Sequence, residues 1–153
     1  MVMRRDVVDR QCTVVAAECA SGGLRRASRT LNQLYVKNLA PSGLQPTQFT
    51  LLVACAVAGA APMTALADAL GMDRTTLTRN LKPLEKRRLV RVAEGDDRRV
   101  RVVTLTPRGR AALAVALPLW KKTQERVVET FGHERLSRVL KDIGALASLA
   151  RER

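Results

Sequence analysis

Apolar residues recur along this chain at helical spacing, with one interval where the period drops to two. Leu24, Ala27, Leu31 and Leu34 predict a helix reaching about Ala40, with Arg25, Arg26 and Arg29 turned outward. A shorter helix is expected before it, from about Asp9 to Cys19. The Gly22-Gly23 pair is expected to interrupt the two, because paired glycines disfavour a continuous helix. Pro41-Ser42-Gly43 reads as a loop. Pro46 suits the first position of the next helix, where its missing N–H costs nothing. Phe49, Leu52, Val53 and Ala56 are the expected buried face of that helix, and Gly59-Ala60-Ala61-Pro62 closes it.

From Thr64 to Thr106 the pattern becomes more specific. A short helix is expected from about Thr64 to Leu70, with Leu66, Ala69 and Leu70 on one face and Gly71 as its stop. Asp73 stands before a new periodic run, where its carboxylate can accept from the free N–H groups of the first turn. Leu77, Leu81 and Leu84 then form a single apolar stripe, while Arg74, Thr75, Thr76, Thr78, Arg79 and Lys82 occupy the other side. Two helices joined by a tight Gly turn, the second with a basic, hydroxyl-bearing outer face, describe a helix-turn-helix. Next, Val90 and Val92 alternate with Arg91, and Val100 and Val102 alternate with Arg99 and Arg101. That is a two-stranded ribbon with one apolar and one cationic face. Residues Glu94 to Arg98 supply its turn, and the whole reads as a winged helix.

Thr106-Pro107 opens another helix with a hydroxyl cap and a proline at its first position. Leu113, Leu117, Trp120, Gln124, Val127, Val128 and Phe131 give it a long, mostly apolar side; Pro118 is expected to kink it and Gly132 to end it. A last helix, roughly Glu134 to Ala150, carries Leu136, Val139, Leu140, Ile143, Leu146, Ala147 and Leu149 on a wide stripe. These outer helices are too apolar for a small head standing alone, so a homodimer is expected. A two-fold dimer would set two copies of the helix after Asp73 about 34 Å apart, in successive major grooves of a palindromic site.

Charge sharpens this picture. The chain carries a formal net charge of +13. Met72 to Arg110 holds twelve Lys and Arg against five Asp and Glu, a net +7 in about a quarter of the length. A polyanion is the economical partner. Aromatics are 3% (Tyr35, Phe49, Trp120 and Phe131), which argues against single-strand or RNA binding on stacking platforms and leaves duplex DNA. Three cysteines make no disulfide framework, the start MVMRRDVVDRQ lacks a secretory apolar region, and no stretch reads as a membrane span. A cytoplasmic setting is expected. His133 is the only histidine, so a zinc site is not expected, and no triad or phosphate-cradling loop points to an enzyme or a cofactor.

Four stretches together resemble the MarR family of bacterial winged-helix regulators: GLQPTQFTLLV (Gly43 to Val53), LADALGMDRTTLTRNLKPLEKRRLV (Leu66 to Val90), GDDRRVRVVTLTPRG (Gly95 to Gly109) and the flanking helices. The resemblance implies a mainly α fold with a small β-hairpin wing, in which helical dimerisation arms flank a winged helix-turn-helix. It also implies repression of a neighbouring operon, relieved by a small, often phenolic, ligand or by an oxidant. The helix from Asp73 would enter the major groove and the wing a flanking minor groove. The family's wing Asp-Arg pair matches Asp97 and Arg98, the Asp orienting the Arg. Three departures stand out: Gln45 where a hydroxyl cap is usual, Pro83 inside the recognition helix, and Arg88 where many members have Gly.

The expected layout is therefore N-terminal dimerisation helices over residues 1–45, the DNA-binding domain over 46–106 and C-terminal dimerisation helices over 107–153. Arg74, Thr75, Thr76, Thr78 and Arg79 are the expected base- and phosphate-facing set, and Lys82, Arg98, Arg99 and Arg101 the phosphate or minor-groove set, with Asp97 as orienter. An effector pocket is expected between arms and head, where Tyr35, Phe49 and Trp120 could line it or could be plain core. Cys12 and Cys19, seven apart, suggest thiol oxidation or soft-metal sensing, against plain packing for Cys55. A sequence-tolerant architectural DNA binder is the other alternative, and a protein scaffold the third.

Overall fold

The computed structural model describes the backbone of Val2–Leu149 and the side chains from Val7 onward. In chain order it contains helices α1 (Val2–Glu18) and α2 (Ala20–Leu39), a 3-10 turn (Ala40–Ser42), helix α3 (Pro46–Ala58) and strand β1 (Ala61–Pro62). Helices α4 (Met63–Leu70) and α5 (Arg74–Lys86) follow, then strands β2 (Val90–Glu94) and β3 (Arg101–Leu105), and helices α6 (Pro107–Phe131) and α7 (His133–Leu149). The expected end of the last helix, Ala150, lies outside the described residues. The strands form one antiparallel sheet in the order β1-β3-β2. The fold is a mainly helical winged helix-turn-helix, and it divides into two compact units after Lys37.

In the first unit the helix break falls at Cys19, not at Gly22-Gly23. Both glycines lie in the first turn of α2, where fewer intrahelical bonds depend on them. Cys19 acts as the cap: its Sγ accepts from Gly22 N–H at 3.4 Å, and its carbonyl accepts from Gly23 N–H at 2.9 Å.

The second unit holds the core. Leu39, Leu44, Leu51, Leu52, Leu77 and Leu84 are among its fully buried side chains, packed with Val103 from the sheet. Three expected faces need correcting. In α3 the buried residues are Phe49, Leu51, Leu52 and Cys55, whereas Val53 and Ala56 are only half-buried. This helix is apolar nearly all round, so a one-sided reading has no contrast to work with. In α4 the inward alanine is Ala67, beside Met63 and Leu66, and Ala69 is exposed. In β3 the inward face is Val103 and Leu105, paired with Val92 and Val90; Val102 pairs with Ala93 on the opposite face, and Val100 lies before the strand. The adjacent valines 102 and 103 leave the parity of this strand open, and a one-residue slip exchanges its faces. Glu94, read as turn, is the last residue of β2, and its carboxylate lies 4.0 Å from Arg101.

Helix ends follow local chemistry. Gly71 and Gly132 close α4 and α6 with φ of 62° and 87°. Gln45 is helped at the start of α3 by Gln48, whose Oε1 accepts from Gln45 N–H at 3.1 Å. The helices carrying Pro83 and Pro118 both continue past them.

The end of α5 is the most constrained joint. Arg88 N–H donates to the Glu85 carbonyl at 2.8 Å and Leu89 N–H to the Leu84 carbonyl at 2.8 Å, a Schellman closure. Arg88 therefore sits at φ 58°, the only non-glycine with positive φ among the described residues. Thr106 Oγ1 shares its proton between the carbonyls of Arg88 (2.7 Å) and Leu89 (3.0 Å), and Thr106 N–H also donates to Leu89 at 3.1 Å. The same hydroxyl caps α6 by accepting from Gly109 N–H at 3.0 Å. A Cβ on Gly109 would collide with the Leu89 carbonyl oxygen.

Two outcomes follow for stability. Gly109→Ala should destabilise by about 3 kcal/mol, because the clash is with backbone. Arg88→Gly should stabilise by about 0.5–1 kcal/mol by relieving the left-handed conformation, less the entropy a glycine adds to the unfolded chain. Urea unfolding of the two variants checks both, and a Gly109→Ala protein as stable as wild type would contradict the joint.

Candidate nucleic-acid interface

Helix α5 is built to present one side. Asp73 caps it: Oδ1 accepts from Thr76 N–H at 2.8 Å and Oδ2 from the Thr76 hydroxyl at 2.7 Å. These bonds hold the Asp73 carboxyl below the usual carboxylate range, the Thr76 side chain being the largest cause. Leu77, Leu81 and Leu84 are buried beneath the helix. Arg74, Thr75, Thr78, Arg79 and Lys82 are exposed. At about 100° per residue these five fall within an arc of about 140°, so the structure brings them together as one face. Thr76 is half-buried and lies beyond that arc, with its hydroxyl proton committed to the cap. The Thr78 hydroxyl donates to the Arg74 carbonyl at 2.7 Å, leaving its oxygen free to accept.

The wing tip is held by backbone. Gly95 N–H donates to the Val100 carbonyl and Val100 N–H to that of Asp97, each at 2.8 Å. Asp97 Oδ1 accepts from the Arg99 N–H at 2.9 Å, an Asx turn. The carboxylate thus shapes the turn through Arg99, whereas the resemblance implied that it orients Arg98. Arg98 and Arg99 are exposed. Among the described residues, Arg74, Arg79, Lys82, Arg98 and Arg99 form no ion pair, so their charge is available to an outside anion. Arg101 is spent partly on Glu94, an exposed pair of little energetic weight.

Sequence reasoning missed Arg87, whose Nη1 donates to the Gly43 carbonyl at 3.0 Å and lies 3.4 Å from Gln48 Oε1. Nothing local in RRLV announces this, since the partners lie about forty residues earlier. Gly109 was legible in principle, because a glycine in a first helical turn, where most residues would serve better, suggests a close approach.

The other expected residues are dispersed. Phe49 is buried and stacks on Trp120, with ring centroids 6.3 Å apart and planes at 24°. Trp120 also borders an open groove of about 250 Å³ along α6, with Gln124 and Val128. Tyr35, on α2 in the N-terminal unit, is half-buried, and burial pushes its phenol up. Cys12 and Cys19 are exposed, whereas Cys55 is buried with its thiol pushed up to about 11. Among the described residues, no helix is long and apolar enough to cross a membrane.

The family model described as MarR family matches residues 42–100, which take in the helix-turn-helix and the wing's first strand and turn. The transcriptional regulator MosR of M. tuberculosis, solved in complex with DNA, is 43% identical, covers 88% of this chain and 97% of its own, and superposes with a TM-score of 0.80. This chain belongs to the MarR family. A probable transcriptional regulator from Pseudomonas aeruginosa is 25% identical over 85% of this chain and 98% of its own, with a TM-score of 0.75. A mutant MarR from E. coli complexed with operator DNA is 18% identical over 87% and 96%, and its TM-score of 0.77 shows that the MarR fold itself is shared. No curated protein matches the chain.

The Asp73 cap carries a pH signature. Its pKa is depressed on folding, so its contribution is present above the ordinary value of 3.8 and is lost as pH falls below it towards the folded value. Thermal melts of Asp73→Asn, whose cap does not titrate, should fall less steeply than wild type between about pH 5 and 3. Equal slopes would remove Asp73 from the acid limb. Thiol labelling of the native protein at neutral pH should modify Cys12 and Cys19 and spare Cys55, read by mass spectrometry.

Proposed function

We propose that this chain is a homodimeric, sequence-specific DNA-binding transcriptional regulator, a repressor released from a palindromic operator by a small-molecule effector. The observation that carries the reading is the exposed, unpaired face of Arg74, Thr75, Thr78, Arg79 and Lys82 on a capped helix. Arg matches guanine bidentately, and Thr serves a phosphate, a base edge or a thymine methyl. Thr76 contributes by building the cap, and Arg98 and Arg99, on the turn that Asp97 shapes, reach phosphate or the minor groove. MosR, with its bound DNA, supports the same reading.

The domain assignment belongs to this proposal: DNA binding by residues 46–106, dimerisation by 1–45 and 107–153. Its support is uncovered apolar surface. No described residue of α7 is buried, although Leu140 is 58% and Leu149 65% exposed, and α1 exposes Val7, Val8, Val14 and Val15. A second subunit would cover such stripes. The Phe49–Trp120 stack is the candidate effector lodging, and the cytoplasm is the setting in which such a protein meets chromosomal DNA.

A second reading, thiol or soft-metal control of the same repressor, rests on the exposure of Cys12 and Cys19. Seven residues along a helical path separate them by roughly 10 Å, too far for a direct bridge. A disulfide formed on oxidation would therefore join either thiol to another chain or to a small thiol. Loss of operator binding after peroxide or arsenite treatment, in a gel shift paired with mass spectrometry, would favour it; binding that survives full modification rules it out.

The main test begins with a duplex motif selected from random oligonucleotides by the purified protein. The selected duplex should bind about 10³-fold or more tightly than random sequence, whereas a sequence-tolerant architectural binder would show little preference. Arg79→Ala should lower operator affinity by about tenfold with an unchanged melting temperature, and Arg98→Ala should flatten the salt dependence by about one phosphate contact. A monomer in sedimentation that ignores every duplex at low salt would sink the proposal.

A further inference from the structure

The far end of α5 is anchored on two sides. Thr106 grips the Arg88 and Leu89 carbonyls from the start of α6. On the other side, Arg87 Nη1 donates to the Gly43 carbonyl at 3.0 Å and reaches Gln48 Oε1 at 3.4 Å. Gly43 sits at φ 67° where the 3-10 turn leads into α3, and a Cβ placed there would meet Arg87 Nη2 at 3.7 Å. The acceptor on Gln48 is the same oxygen that takes the Gln45 N–H. One guanidinium nitrogen thus joins the residue that ends α5 to the entrance of α3.

The leverage is large. Helix α5 has 13 residues, and its rise places Arg74 about 20 Å from Arg87. A tilt of about 5° about the Arg87 end would move Arg74 by roughly 1.5 Å over that length. A bidentate base contact tolerates far less, because hydrogen-bond distances span about 0.5 Å. A phosphate contact by a long flexible side chain tolerates it.

We propose that Arg87 is a positioning residue for sequence readout: its bridge to Gly43 and Gln48 sets the inclination of α5, so it governs discrimination between duplexes and not affinity for DNA as such. This rests on the DNA-binding reading above. The rival role for Arg87 is a plain phosphate contact, which would weaken binding to all duplexes alike.

The experiment uses the full-length protein, a duplex selected by the wild type from random sequence, and an unselected duplex of equal length. Arg87→Ala and Arg87→Met remove the bridge, the second keeping the apolar stem, and circular dichroism melts confirm that the variant used is folded. Arg88→Gly is the control: it removes a neighbouring positive charge, leaves the Arg87 bridge in place and suits the left-handed backbone. The selected-to-random affinity ratio should fall about tenfold in the Arg87 variants, about the worth of one bidentate base contact, and stay at the wild-type value in Arg88→Gly. Affinity for the random duplex and its salt slope should be unchanged in the Arg87 variants. An unchanged ratio, or an equal loss on both duplexes with a slope lower by about one, overturns the proposal. If the wild type selects no sequence, the DNA-binding reading fails first and this proposal falls with it; failure confined to the Arg87 variants leaves that reading intact.

Discussion

The carbonyl of Leu89 is the point on which the head of this protein turns. It accepts from both the N–H and the hydroxyl of Thr106, and the first turn of α6 comes so close that only a residue without a Cβ fits at Gly109. A backbone acceptor that takes two donors has little freedom to move. Beside it the Schellman closure holds Arg88 in the left-handed region, and Leu89 lies in the core, where it is 3% exposed. The end of α5 and the start of α6 therefore behave as one piece. The strain at Arg88 persists because its surroundings over-determine it.

This joint explains how a strongly cationic helix remains well placed. The residues that give α5 its outer charge contribute nothing to packing, and mutual repulsion among Arg74, Arg79 and Lys82 opposes their gathering. What holds the helix is the underside: Leu77, Leu81 and Leu84, worth about 2 kcal/mol each when buried, together with the caps at both ends. Stability and recognition are divided between two faces of one element, so changes on one face need not disturb the other. Under the proposed function, the wing follows the same rule: Val90, Val92 and Val103 anchor the hairpin, while its tip stays polar and held by main-chain bonds.

The outer helices present the opposite problem. In α7 amphipathic order is complete, yet no described side chain is buried. Apolar surface of that extent is costly in water and is retained where something covers it. The proposed homodimer uses it as the means of pairing two recognition helices, so that affinity for DNA and association of subunits reinforce each other.

Much of this could be read from the chain alone, because it depends on neighbours in sequence. Helical periodicity marked α5, α6 and α7; Asp73 and Thr106 declared their caps; Gly71 and Gly132 declared the stops; and the ribbon after Leu89 declared a hairpin. The cationic face of α5 was legible for the same reason, since helical geometry converts spacing into direction. What needed the tertiary structure was every choice between locally equivalent options. Ala67 and Ala69 differ only in what lies against them, Val102 and Val103 only in which face of the sheet they take, and the faces of α3 only in what surrounds them. Arg87 and Gly109 go further, because their partners at Gly43 and Leu89 are brought near by folding. Local rules determined which elements form and which way their charges point; contacts between distant segments decided register, inward faces and the tilt of the helix, because those depend on distances that no stretch of sequence contains.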